Sequence, residues 1–106
     1  MESKILIVDD NPSVIDSLEL FLKRKVDKVL SITDPNTMIK TLQKENIDVV
    51  LLDMNFDSTE NLGEEGLYWL KEIKKSFPEQ VVIMITAYGD VELAVEALQM
   101  GASNFI

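Results

Sequence analysis

The residues ILIVDDNP, at positions 5–12, combine an apolar run, two acidic residues and a helix start. An aliphatic run without polar alternation is typical of a strand that is buried on both faces of a parallel sheet. Asn11 and Pro12 then supply a helix N-cap and the residue favoured at the first helical position. The stretch therefore predicts a buried strand that leads through Asp9 and Asp10 directly into a helix.

Similar apolar runs recur along the chain and are separated by segments of helical period. The predicted strands occupy residues 5–8, 28–32, 48–52, 81–85 and 103–106. Strands that alternate with helices in this way form a doubly wound α/β fold, because parallel strands need helical crossovers. We therefore predict one parallel five-stranded sheet with helices on both faces.

Four helices are predicted between these strands, at about residues 12–25, 35–45, 67–76 and 90–100. The apolar stripe of the first helix comprises Val14, Leu18, Phe21 and Leu22. Tyr68 and Trp69 adjoin the stripe of the third helix and are predicted to pack against the core, with a contact to a partner as the alternative. Gly101 is predicted to end the fourth helix, since glycine readily adopts the left-handed conformation that follows a helix. Residues 54–66 are predicted to form a long acidic loop.

The size and composition exclude several classes of protein. The 106 residues fit one domain, residues 1–106, and the net charge of −9 disfavours contact with nucleic acid or an anionic membrane. The chain has no Cys and no His, which excludes disulfides, thiolate or imidazole metal sites and His-dependent triads. Its apolar runs are far shorter than the ~20 residues of a membrane span, so we expect a cytoplasmic protein.

Acidic residues follow two of the predicted strands. Asp9 and Asp10 follow the first, Asp53 follows the third, and Thr86 follows the fourth. Ligands of an open α/β sheet bind beyond the carboxyl ends of the strands, so these side chains are expected to share one edge. Clustered carboxylates repel one another unless a cation compensates, and an all-oxygen cluster suits Mg²⁺. A carboxylate beside Mg²⁺ is also able to attack phosphorus.

Four segments resemble the response-regulator receiver domains of two-component signalling. They are ILIVDDN at 5–11, VVLLDM at 49–54, IMITAYG at 83–89 and ALQMGASNFI at 97–106. They occur in the order and spacing of that family over nearly the whole chain. The segment TAYGD at 86–90, with AVEAL at 94–98, is most similar to receivers of NtrC-like transcriptional activators. The resemblance implies the flavodoxin-like strand order 2-1-3-4-5.

The resemblance also implies roles for particular residues. Asp53 would be the phosphoacceptor, and Mg²⁺ would be held by Asp9, Asp10, Asp53 and the backbone carbonyl of Asn55. Thr86 would be the hydroxyl that turns toward the phosphoryl group, and Phe105 the aromatic residue that changes rotamer with it. The expected function is a signalling module that takes a phosphoryl group from a sensor histidine kinase. It would then change the surface around the fourth helix and fifth strand to control an output domain, which we expect to be transcriptional. We do not expect an enzyme, beyond catalysis of its own phosphorylation and dephosphorylation.

The sequence departs from the family pattern in two places. Residues 55–66 are longer than the usual loop, contain no Pro and carry four acidic residues. The family's phosphate-pairing Lys and its final helix belong beyond Ile106, so we expect a receiver that is cut short at its C-terminus. Loss of that helix would expose apolar surface, which predicts marginal stability or a homodimer formed through the first helix and residues 103–106.

Other interpretations remain open from the residues alone. Asp10 is also consistent with a helix cap, although Asn11 is the better cap, and Asp53 with an ordinary loop-entry residue. From the residues alone, Phe105 is by default a core aromatic residue, and the Thr86 hydroxyl is consistent with a local hydrogen bond at a strand end. A Mg²⁺-dependent phosphohydrolase with an Asp nucleophile is a second hypothesis. Hydrolases resembling the haloacid-dehalogenase group have a second Asp two residues after the nucleophile, where this chain has Asn55. A docking domain that works without phosphorylation is the third.

Overall fold

The computed structural model describes residues 3–53, 64–85 and 91–105, in which strands alternate with helices. The strands are β1 (Lys4–Val8), β2 (Lys28–Ile32), β3 (Val49–Asp53), β4 (Val81–Ile85) and β5 (Asn104–Phe105). The helices are α1 (Pro12–Leu22), α2 (Met38–Lys44), α3 (Glu64–Ser76) and α4 (Val91–Gln99). A short 3-10 helix, Pro35–Thr37, leads into α2. The predicted alternation of strand and helix is confirmed.

The strands form one parallel sheet in the order β2-β1-β3-β4-β5. The chain therefore builds outward in both directions from β1, and the strand order reverses between β1 and β3. In the register of that central pair, Val8 lies opposite Leu52. Asp9, which follows Val8, and Asp53, which follows Leu52, therefore lie side by side at the carboxyl edge of the sheet. The predicted fold class and strand order are confirmed.

Both faces of the sheet are apolar, which is why its strands lack strict alternation. One face carries the larger core cluster, in which β-strand residues such as Leu6, Leu52 and Met84 pack with residues of the helices on that side. The helix residues in this cluster are Met38 and Leu42 of α2, Leu67, Leu70 and Ile73 of α3, and Ala97 of α4. On the opposite face, Ile7 and Leu51 pack against Ile15 of α1. The sheet is thus held between helices and fixes the edge where the acidic residues lie.

Helix α1 begins as the sequence predicts. Asn11 has an extended backbone, and its side chain accepts a hydrogen bond from the backbone N–H of Ser13 at 2.9 Å. Pro12 occupies the first helical position, where its missing N–H removes no helical hydrogen bond. Asp34 forms the equivalent contact with the N–H of Asn36, but there the chain first makes the 3-10 helix. The α-helix that was predicted from residue 35 therefore begins only at Met38.

Asn11→Ala is expected to lower the free energy of unfolding by about 1 kcal/mol, because it removes the side-chain acceptor at the start of α1. Urea denaturation at constant pH measures this change. Asn11→Ser keeps an acceptor of the right kind and should restore most of the loss. Equal midpoints for the Ala variant and the parent would contradict the capping role.

The structure also corrects a boundary of two other predicted helices. Helix α1 ends at Leu22 rather than near residue 25, because the chain turns there: the N–H groups of Lys25 and Val26 both donate to the carbonyl of Leu22. Helix α3 begins at Glu64, three residues before the predicted start and inside the predicted loop. Gly66 lowers intrinsic helix propensity and therefore obscured that first turn in the sequence. The rest of the predicted loop lies outside the described residues.

Two aromatic residues lie at the surface rather than in the core. Helix α1 packs against the sheet through Ile15, Leu18 and Leu22. Phe21 is 63% exposed because it lies about 120° around the helix from Ile15. The ammonium of Lys25 lies 5.1 Å from the Phe21 ring centre. Tyr68 is 55% exposed, whereas its neighbour Trp69 packs against the larger core cluster. The predicted packing is confirmed for Trp69 and wrong for Phe21 and Tyr68.

Among the helices of the described residues, none combines the length and the apolar character that a membrane span requires.

Candidate metal centre

Three carboxylates converge at the carboxyl edge of the two central strands. Asp53 is the last residue of β3, and Asp9 and Asp10 directly follow β1. Because β1 and β3 are parallel neighbours, their carboxyl ends lie at the same edge. Each of the three side chains offers an oxygen, and these oxygens all lie within 4.8 Å of one another. The structure therefore brings together the three acidic residues that were predicted to share a site.

The three carboxylates differ in exposure. Asp9 is 3% exposed, Asp53 is half-buried and Asp10 is exposed. The N–H of Asp9 donates to the carbonyl of Ile32 in β2, which fixes the chain as it leaves β1. The cluster consequently has a buried side at Asp9 and an open side at Asp10, from which water or a ligand can approach.

Asn11 contributes to this cluster in a way that the sequence interpretation missed. Its backbone N–H donates to Oδ1 of Asp9 at 2.9 Å, while its side chain caps α1. This hydrogen bond was predictable from the sequence, because an Asp side chain commonly accepts a hydrogen bond from the backbone N–H two residues later. Asn11 therefore joins the start of α1 to the orientation of the buried carboxylate.

Burial raises the pKa of Asp9 above its ordinary value, and the negative charge of Asp10 raises it further. The hydrogen bond from the N–H of Asn11 and a side-chain hydrogen bond with Asp53 act in the opposite direction. The net shift is upward, so the folded protein resists full ionisation at this position. A nearby cation would offset both causes, because it favours the charged form of each carboxylate.

The donor set fits a hard divalent cation. All three side chains supply oxygen, and the open side at Asp10 leaves room for the waters that Mg²⁺ retains. Zinc and copper prefer nitrogen or sulfur ligands, and the chain contains neither His nor Cys. The residues present therefore suit a hard divalent cation, of which Mg²⁺ is one.

The remaining predicted site residues are only partly covered by the structure. Asn55 and Thr86 lie outside the described residues. Phe105 belongs to β5, where its backbone lies opposite Met84 of β4, but its side chain is outside the described part of the chain. Their predicted roles therefore stay predictions.

Comparison with protein-family models matches almost the whole chain. The model of the response regulator receiver domain covers residues 5–106. The chain belongs to the response regulator receiver domain family. The resemblance seen in the sequence is thereby confirmed, and the strand order and acidic edge of this receiver domain are those that the resemblance implied.

Relatives of this receiver domain include longer regulators. Response regulator protein PilR of Pseudomonas aeruginosa is 34% identical over 97% of this chain and 22% of its own length. The DNA-binding transcriptional regulator NtrC of Proteus hauseri is 31% identical over 99% of this chain and 21% of its own length. The receiver domain thus spans little more than a fifth of these relatives, and its similarity to NtrC-like regulators is confirmed.

Solved structures agree with the fold. The N-terminal signal receiver domain of a two-component system response regulator from Bacteroides fragilis has a TM-score of 0.88 and 42% identity. That alignment covers 100% of this chain and 84% of the other. The receiver domain of NtrX from Brucella abortus has a TM-score of 0.85 and 31% identity, over 96% of this chain and 82% of the other.

Proposed function

We propose that this chain is the phosphoacceptor module of a two-component response regulator and that Asp53 receives the phosphoryl group. The observation that carries the proposal is the convergence of Asp9, Asp10 and Asp53 at one edge of the sheet. Membership of the receiver family supports it. The expected donor is a phosphohistidine of a sensor kinase.

The different environments of the three carboxylates support a division of roles. Asp53 is held at the end of a central strand and is half-buried, so one carboxylate oxygen can be both positioned and reached. Asp9 is buried and its Oδ1 already accepts the N–H of Asn11, which suits a fixed ligand rather than a nucleophile. Asp10 is exposed and completes the cluster from the solvent side.

In the proposed reaction an oxygen of Asp53 forms a bond to phosphorus while the bond between phosphorus and the donor atom breaks. The leaving group is the imidazole of the kinase or, with acetyl phosphate, acetate. Bound Mg²⁺ would neutralise charge on the phosphoryl oxygens. Asp9, Asp10, Asp53 and the backbone carbonyl of Asn55 are proposed to hold the ion. The chain thus catalyses only its own phosphorylation and dephosphorylation.

The proposed output surface is formed by α4 and β5. Val95 and Leu98 of α4 are 45% and 38% exposed, so this helix presents apolar side chains to solvent. Strand β5 pairs with β4, whose carboxyl end adjoins the acidic edge, since Ile85 lies opposite Asp53. Thr86 and Phe105 are proposed to relay phosphorylation to this surface. Similarity to NtrC-like regulators favours a transcriptional output domain as the partner.

Incubation with acetyl phosphate and Mg²⁺ is expected to add one phosphoryl group to the protein, because a receiver can use a small donor without its kinase. Intact-mass spectrometry measures the adduct, and hydroxylamine should remove it, as expected for an acyl phosphate. The matched control replaces Mg²⁺ with excess chelator and should give no adduct. An adduct that forms equally with chelator, or that resists hydroxylamine, would contradict the proposal.

A further inference from the structure

Lys74, near the end of α3, donates hydrogen bonds to backbone carbonyls of the turn that joins α3 to β4. Its ammonium donates to the carbonyl of Gln80 at 2.6 Å and to that of Pro78 at 3.4 Å. The turn is also closed by the N–H of Gln80, which donates to the carbonyl of Phe77 at 3.1 Å. Within the described residues, the ion pairs closer than 4 Å are those of Lys4 and Lys28 with Glu45. Lys74 therefore holds the turn through carbonyls rather than through a carboxylate.

The aliphatic part of the same side chain lies against the end of α4. Gly101 has a φ of +112°, a backbone conformation that residues other than glycine rarely adopt. A Cβ atom at position 101 would lie 3.3 Å from Cε and 3.4 Å from Cγ of Lys74. The positive φ thus favours glycine at position 101, and a Cβ there would push the flexible Lys74 stem aside by a few tenths of an ångström. The left-handed end predicted at this glycine is confirmed.

The end of α4 is otherwise closed by its own hydrogen bonds. The N–H of Gly101 donates to the carbonyl of Leu98 at 3.2 Å, and that of Ala102 donates to the carbonyl of Ala97 at 3.0 Å. This pair of bonds is the Schellman arrangement, which satisfies the last carbonyls of a helix. Ala97 and Ala102 are buried, and the N–H of Ser103 donates to Val82 of β4 at 2.8 Å. The end of α4 is therefore a packed, hydrogen-bonded unit against which the Lys74 stem rests.

We propose that Lys74 is a positioning residue that couples the α3–β4 turn, residues 77–80, to the end of α4, residues 100–102. Its ammonium holds the turn through hydrogen bonds, and its aliphatic stem packs beside Gly101. A displacement of either segment therefore moves the Lys74 side chain. The coupling acts through one residue because a single Lys contacts both segments with different parts of its length. The proposal does not depend on phosphorylation of Asp53. Its test therefore remains informative if the proposed function fails.

Hydrogen exchange at single amides, followed by NMR, tests the coupling with Lys74→Met. Methionine keeps an unbranched apolar stem but removes the ammonium. We expect exchange to accelerate about tenfold at Gln80 and also at Gly101 and Ala102, the effect of losing one charge-assisted hydrogen bond. Amides of β1 should keep their exchange rates. The exposed neighbour Lys75→Met is the matched control and should change neither segment, and Lys74→Arg, which keeps a donor, should restore much of the protection.

Gly101→Ala perturbs the link from its other end. The added methyl group presses on the Lys74 stem, and coupling between two sites is reciprocal, so exchange at Gln80 should also accelerate. Acceleration at residues 77–80 alone in Lys74→Met would overturn the proposal. An equal acceleration of all amides, those of β1 included, would show a loss of global stability only and would overturn it as well. If Lys74→Met does not fold, an unchanged rate at Gln80 in Gly101→Ala overturns it.

Discussion

Asp53→Asn is expected to abolish phosphoryl transfer from acetyl phosphate, because it replaces the only proposed nucleophile with an amide of the same shape. The residual adduct should fall below detection in intact-mass spectra under conditions that label the parent. We expect this to be the largest effect of any substitution at the site, because the other residues cannot replace a missing nucleophile. Peptide mapping of the labelled parent should place the hydroxylamine-sensitive group at Asp53.

The matched control is Asp48→Asn. Asp48 directly precedes β3, at the end of the strand opposite to Asp53. Asp48 accepts a hydrogen bond from the N–H of Lys4 at 2.7 Å, which an Asn side-chain oxygen can also accept. Its labelling should equal that of the parent. Asp10→Asn is expected to slow labelling without moving its position, since it removes a metal ligand rather than the acceptor. Labelling that survives in Asp53→Asn would refute the assignment.

Millimolar Mg²⁺ is expected to stabilise the folded protein strongly. The ion would relieve repulsion among three carboxylates whose oxygens lie within 4.8 Å of one another, and the unfolded chain has no such cluster. Ligand linkage gives ~2.7 kcal/mol when the ion is in hundredfold excess over its dissociation constant. For a domain of about 100 residues, each kcal/mol raises the melting temperature by about 4–8 °C. Thermal melts with and without Mg²⁺, at equal ionic strength, measure the shift.

Variants separate binding at the site from a general salt effect. Asp10→Asn and Asp53→Asn should each lose most of the Mg²⁺-dependent shift. Without the ion, Asp53→Asn should melt at or above the parent temperature, because it removes one of the mutually repelling charges. Asp16→Asn, an exposed carboxylate on α1, should keep the full Mg²⁺ shift of the parent. Equal shifts in all four proteins would exclude a specific site at the acidic edge.

Local sequence patterns were sufficient to predict much of the architecture. The apolar run at 81–85 predicted β4 with its observed bounds, and Asn11 and Gly101 marked a helix start and a helix end as found. These features depend on backbone conformation and on neighbours within a few residues, which is why a linear sequence reveals them. The acidic residues after the first and third strands likewise predicted a shared edge, because parallel strands place their carboxyl ends together. Helix boundaries were less accurate where a weak helix former such as Gly66 lay in the first turn.

By itself, the sequence determined the alternation of elements, the apolar character of the strands and the identity of the acidic residues. Only the tertiary structure decided that Asp9 is buried while the adjacent Asp10 is exposed, and that Ile15 rather than Phe21 meets the sheet. It also brought Lys74 against Gly101, a contact that no local pattern indicates. The physical reason is that burial, electrostatic environment and such contacts depend on strand register and helix rotation. Those are set by packing the whole chain, whereas propensity and capping are set by adjacent residues.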